Sequence, residues 1–144
     1  MTITVTKFPP KTQKTNVFHV TADGDNESWG DNIPKLYIHS GHFFICFDIN
    51  NQLGWCVTKK IKLGKQYSMA IIQYRQSHNY WFKVIIDDEL IRLKQNHHAR
   101  SFRNVKVYLS DPWRPSFTSD LGSVCNLNLF GKCLKYKKVQ GNLD

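Results

Sequence analysis

The residues of this chain best suited to chemistry begin with an acidic loop. Asp23-Gly24-Asp25-Asn26-Glu27-Ser28-Trp29-Gly30-Asp31 carries four carboxylates in nine residues of a chain whose formal net charge is +9. Calcium takes hard oxygen ligands clustered on a bent loop. Asp23, Asp25 and Asp31 are therefore candidate metal ligands, with Asp111 as a fourth. The same residues also read as a solvated acidic loop, and their spacing is not that of an EF-hand. Asn26-Glu27-Ser28 is in addition an N-glycosylation sequon, meaningful only in a secreted chain. A glycan and a metal would compete for Asn26.

The four cysteines are Cys46, Cys56, Cys125 and Cys133. Cys46 and Cys56 lie on opposite arms of a hairpin turning at Asn50-Asn51, nearly facing one another. Cα atoms of such a cross-strand pair sit about 4.5–5.5 Å apart, within reach of a disulfide. The alternative is two buried thiols in a reducing cell. Cys125 and Cys133 flank the last strand and could pair if the chain turns at Phe130-Gly131. No Cys-x-x-Cys spacing supports a zinc site. An even cysteine count in a small β domain leans toward an oxidising compartment.

Sugars stack their apolar faces on Trp and Tyr and hydrogen-bond to Asn, Asp and Arg. Trp29, Trp113, Arg114 and Tyr37 are the candidate ligand-binding residues. Trp29 and Trp113 are the least strand-like in position. Trp55 and Trp81 belong to the same chemistry, and all four indoles also read as core or sheet packing. His19, His39, His42, His78 and the pair His97-His98 sit in no hydrolase or metalloprotease motif. Asp87-Asp88-Glu89 reads as a hairpin turn rather than a glycosidase carboxylate pair. No catalytic residue is assigned.

The elements that must position these residues are strands. Aromatics make up 13% of the chain, Met is scarce, and no segment holds a helical period. Val105, Val107 and Leu109 alternate with Lys106, Tyr108 and Ser110, the period of a strand with one buried face. Ser110-Asp111-Pro112-Trp113 stops it, since Pro112 has no N–H for a ladder. Further strands are predicted at Thr2–Phe8, Val17–Thr21, Ile33–His39, His42–Ile49, Leu53–Thr58, Tyr67–Tyr74, Tyr80–Ile86, Glu89–Lys94 and Ser123–Phe130. Lys11 to Asn16 reads as a polar loop. Short strands spaced about 8–12 residues apart, with turns between, are the pattern of an all-β sandwich or barrel. Residues 1–131 are read as one β-sandwich domain and 132–144 as a basic C-terminal tail.

Two motifs carry a family likeness: Trp29-Gly30-Asp31-Asn32-Ile33-Pro34 before an apolar strand, and Asn104-Val-Lys-Val-Tyr-Leu-Ser-Asp-Pro-Trp113. Together they resemble laminin-G-like or concanavalin-A-like jelly-roll domains of marine-invertebrate extracellular adhesion and matrix proteins. The likeness spans Val17 to Phe130 and departs after the tryptophan, at Arg114-Pro115-Ser116-Phe117. It implies a two-sheet antiparallel jelly-roll sandwich, an extracellular setting and recognition without catalysis. The strand order also echoes galectins, although their sugar-binding motif is not visible in order.

The expectation is an extracellular, non-enzymatic recognition module, lectin-like or adhesive, binding glycan or matrix protein, with calcium a possible cofactor. The N-terminal residues lack the apolar core of a secretory signal, so this reading needs a signal absent from the chain. One alternative is a basic binder of anionic polymers such as heparin-like glycans or nucleic acid, through Lys59–Lys65 and Lys132–Lys138. Against specific nucleic-acid binding, no recognition motif is present. Another alternative is a glycan-cleaving enzyme on the same fold. No run of apolar residues is long enough for a transmembrane helix, so membrane insertion is not expected.

Overall fold

Alternation along the strands sorts the side chains into two packed layers in the computed structural model, which describes residues 1–129 and 132–134. Twelve strands run β1 (Thr2–Val5), β2 (Thr15–Thr21), β3 (Lys35–His39), β4 (His42–Ile49), β5 (Gln52–Lys60), β6 (Gln66–Gln76), β7 (Asn79–Ile86), β8 (Glu89–Asn96), β9 (Lys106–Leu109), β10 (Gly122–Cys125), β11 (Leu127–Leu129) and β12 (Lys132–Leu134). Ten of them form two five-stranded sheets, ordered β10-β1-β6-β7-β8 and β5-β4-β3-β2-β9, and β11 pairs with β12. The pairings between these strands are antiparallel, and one isolated parallel bridge joins Asn16 to Ser116. The chain is an all-β, two-sheet antiparallel sandwich.

The sheets meet through their apolar faces. Ile3 and Val5 of β1, Tyr67 and Met69 of β6, and Val84 and Ile86 of β7 face Leu36 and Ile38 of β3 and Phe43, Ile45 and Phe47 of β4, all buried. Phe43 meets the Tyr67 ring edge-on at 5.2 Å, and Phe47 lies 3.5 Å from the Phe82 ring centroid. Both contacts cross from one sheet to the other.

β2 departs from simple alternation: all seven of its residues are buried. Its outer face is roofed by the loop between β2 and β3 and by the segment after β9. Asn16 staples that segment down. Its backbone N–H donates to the Pro115 carbonyl at 2.8 Å, its carbonyl accepts from Phe117, and its side-chain oxygen accepts the Asp111 N–H at 2.9 Å. Asn16 is thus a buried strand residue rather than the end of a polar loop, because it satisfies the backbone of a segment nearly a hundred residues away.

The strand predicted at Thr2–Phe8 ends at Val5, before Pro9-Pro10. Lys132–Leu134, read as the start of the basic tail, instead pairs with Leu127–Leu129. Residues 135–144 lie outside the described residues. No helix of the described residues is long and apolar enough to cross a membrane.

Candidate functional site

The turn after β9 and the acidic loop after β2 come together on the outer face of the β5-β4-β3-β2-β9 sheet. The hub is His19 of β2, fully buried, as is its partner Asp111. His19 Nδ1 lies 2.9 Å from Asp111 Oδ2, and Nε2 donates to the Asp31 carbonyl. A carbonyl only accepts, so the Nε2 proton is required. The Nδ1–Asp111 contact then needs one more proton, shared between imidazole and carboxylate. Sequence reasoning left His19 among several unassigned histidines. Its signal lay in a polar residue inside the otherwise apolar run Val17–Val20.

Asp111 Oδ1 turns the other way and accepts the backbone N–H groups of Trp113 at 3.2 Å and Arg114 at 3.0 Å. One carboxylate therefore anchors both candidate ligand residues. The Trp113 indole packs edge-on against His19 at 5.7 Å and Tyr108 at 5.1 Å, leaving it 45% exposed. Gly24 of the acidic loop brings its backbone against the same indole, in a left-handed conformation with φ of 120°.

Arg114 is held through Asp25. Its Nη2 donates to Asp25 Oδ2 at 3.0 Å, while Lys35 Nζ of β3 reaches Asp25 Oδ1 at 2.8 Å. Burial works to raise the Asp25 carboxyl. The hydrogen bond and charge of Lys35, with the charge of Arg114, outweigh it and hold Asp25 below the usual carboxylate range. Two cations therefore share this one carboxylate. Arg114 Nε is buried and has no hydrogen-bond partner.

Tyr37 is buried in the next row of the same face, so it backs the site rather than presenting an open ring. Its ring stacks on Phe44 at 5.0 Å, with the Lys14 ammonium 5.7 Å from its centroid. Burial pushes the Tyr37 hydroxyl up from its ordinary range, and the charge of Arg114 partly opposes this. Register places Lys35 opposite Cys46, which is opposite Cys56. Those two cysteines form a disulfide with Cα atoms 4.0 Å apart. The hairpin reading is borne out. Cys125 is exposed and free of any disulfide among the described residues; the Cys133 side chain lies outside them.

The structure gathers Trp113, Arg114, Tyr37, Asp25, Asp31 and Asp111 at one place, and positions Trp29 elsewhere. Trp29 lies under the Arg100 guanidinium, 4.5 Å from it, and lines a cleft between the sheets. Trp55 packs on Phe47 with Lys94 over its ring, and Trp81 lies within β7.

The carboxylates proposed as metal ligands point to other partners. Asp25 is taken by Lys35 and Arg114. Asp31 Oδ2 accepts the N–H groups of Asn26 and Ser28 at 2.6 and 2.9 Å, closing its own loop. Asp111 is taken by His19 and the following turn, and Asp23 is exposed. Among the described residues no three of His, Cys, Asp and Glu are grouped to hold a metal ion. Asn26 is exposed at the tip of the loop.

Of the basic stretch Lys59–Lys65, Lys59 pairs with Glu89 at 3.3 Å and Lys65 with Asp87 at 2.6 Å. Lys132 lies in β12, and Lys135, Lys137 and Lys138 lie outside the described residues. Asp87 and Asp88 occupy the β7–β8 hairpin turn with positive φ, and His97 and His98 are exposed.

No protein-family model matches the chain, and neither a curated protein nor a solved structure matches it significantly.

Proposed function

We propose that the protein is a non-enzymatic recognition module of an extracellular setting that binds glycan through Trp113 and Arg114, with Tyr37 and Phe44 beside them. The observation that carries this reading is the anchoring of that turn. Asp111 accepts the backbone N–H of both residues, and His19 buries Asp111 in place. A half-exposed indole and a guanidinium thus leave one turn in fixed directions. Holding binding groups in place beforehand lowers the entropy lost on association. An indole suits the apolar face of a sugar ring, and a guanidinium suits a sugar hydroxyl, carboxylate or sulfate.

The setting is supported by the Cys46–Cys56 disulfide, which persists in oxidising compartments, and by the exposed sequon at Asn26. The non-enzymatic reading is supported by how the carboxylates are used. In the cleft between the sheets, Asp48 is the one carboxylate among the described residues that lines the wall. Its oxygens accept from Gly30 N, Asn32 N, Asn32 Nδ2 and Gly54 N. None is left to act as acid or nucleophile beside a second carboxylate.

Glycan-array binding, measured with calcium and with a chelator, tests the proposal. The expected result is a set of hits that a chelator leaves unchanged. Trp113→Ala and Arg114→Ala should each weaken them by about tenfold or more, the size of a binding hot spot. Both variants should keep the wild-type circular dichroism spectrum. No glycan hit, together with no partner in a pull-down from extracellular matrix, overturns the reading.

A further inference from the structure

We infer that the cleft between the two sheets is a second binding site, for a small apolar molecule ending in a carboxylate. The cleft encloses about 480 Å³, within the range of small-molecule sites. Close-packed sandwich interiors hold few voids larger than a water molecule. Its walls include Val20 and Phe47 from one sheet and Ile71 and Phe82 from the other, with Phe102 and Val105 from the segment before β9. These residues continue the apolar core, so the body of a ligand lying between them must itself be apolar.

The end group follows from the polar atoms at the rim. Trp29 lines the cleft, and its Nε1–H is buried with no acceptor. Arg100 also lines it and makes no ion pair among the described residues, donating only to the Asn51 side chain at 3.1 Å. Both groups are donors with no accepting capacity. Asp48, which would repel an anion, already receives four N–H groups. The Gln73 carbonyl is taken by Asn96, which leaves its amide N–H groups. The buried Trp29 N–H still needs an acceptor, and the exposed Arg100 at the rim beside it makes a negatively charged one the best match. Gly30 fixes the wall: a Cβ there would lie 2.7 Å from Phe102, and its φ of 96° suits glycine. Trp29 is thereby held at the cleft. The site is independent of the Trp113–Arg114 turn, so either assignment can fail alone.

Displacement of anilinonaphthalene sulfonate by dodecanoate, by methyl dodecanoate and by dodecanol, checked by calorimetric titration of dodecanoate into the whole chain below its micellar concentration, tests this. Dodecanoate should bind saturably at one site and raise the thermal midpoint. Its methyl ester and the alcohol should bind about tenfold more weakly. Trp29→Phe keeps an aromatic ring, though a smaller one, and removes the donor, and Arg100→Gln changes an exposed residue. Each should weaken dodecanoate by about fivefold to tenfold, and Arg100→Gln should leave the ester unaffected. Val105→Trp, by filling the cleft, should abolish binding of all three. Absence of saturable dodecanoate binding overturns the site. Equal affinity for acid, ester and alcohol, insensitive to Arg100→Gln, overturns the carboxylate assignment.

Discussion

The two sheets turn different surfaces outward. On the β10-β1-β6-β7-β8 sheet the outer face lies bare: Ile72, Leu90 and Leu93 are 37%, 53% and 45% exposed. On the other sheet, β2 and β3 are buried on both faces beneath the acidic loop and the turn after β9. Asn16, His19, Lys35, Asp31 and Asp111 are buried polar or charged residues in or under that roof. Buried polar groups are costly unless paired. The chain therefore invests its polar pairing on one face, and the residues held there are the ones that can be aimed. A bare sheet face needs only alternation, whereas a roofed one needs a partner for each polar atom.

The sharpest way to break this contrast is to remove one partner beneath the roof. Asp111→Ala leaves His19 buried without its carboxylate and frees two backbone N–H groups. It should cost about 3–5 kcal/mol of stability, as for a broken buried pair. Leu93→Ala on the bare face should stay within about 0.5 kcal/mol. Urea unfolding of both variants checks the difference. Asp111→Asn sharpens it. The amide oxygen can still accept from Trp113 and Arg114, and its N–H₂ can donate to neutral His19 Nδ1, so most of the loss should be recovered. If Asp111→Ala proved as mild as Leu93→Ala, the roof would not be held by this pair.

The bare face and the core were the legible part of the sequence. Thr–Ile–Thr–Val in β1 and Lys–Val–Tyr–Leu in β9 announce one apolar face, and the Asn50-Asn51 turn announces the hairpin that pairs Cys46 with Cys56. Trp113 and Arg114 were also legible as rim residues, since Pro112 ends the strand before them. The roof was not. Asn16 looked like loop because its neighbours are Lys14, Thr15 and the stretch from Pro9. Its partners are Asp111 and Pro115, 95 residues or more along the chain. His19 and Asp111 are likewise separated by 92 residues. Local pattern reports whether a face is apolar. It does not report that a polar face will be covered, because the covering segment is chosen by long-range packing. The likeness to jelly-roll domains fitted the two-sheet sandwich. Trp29, grouped with Trp113 by residue type, lies at the cleft because the Gly30 turn packs on Phe102.

The disulfide joins β4 to β5 in the same row as Lys35 and so tests whether the roofed face depends on its far edge. Cross-linking residues ten apart removes unfolded-chain entropy worth about 2–3 kcal/mol. Reduction, or Cys46→Ser with Cys56→Ser, should lower stability by about that amount, read from the urea midpoint. Glycan binding at Trp113 and Arg114 should persist, because their anchors lie on β2 and β3. Loss of binding on reduction would make the whole face one unit.

The smallest effect singles out one ionic anchor of the roof, Asp25, by pH. Asp25 is held below the ordinary carboxylate range in the folded chain. The unfolded chain therefore takes up the proton first as pH falls. The stability that Asp25 contributes is complete above the ordinary aspartate value and is lost as pH drops through the lower, folded one. Asp87 on the bare side is lowered in the same sense by Lys65 and the Ser68 N–H, but it is exposed and screened. Urea midpoints taken from about pH 6 to about pH 3 should therefore fall for the wild type. Asp25→Asn should start lower, because Lys35 loses its charge partner, and then fall less steeply. The gap between the two curves isolates Asp25 from Asp87. Parallel curves would mean that Asp25 gains nothing from Lys35 and Arg114, and that Arg114 is placed by Asp111 alone.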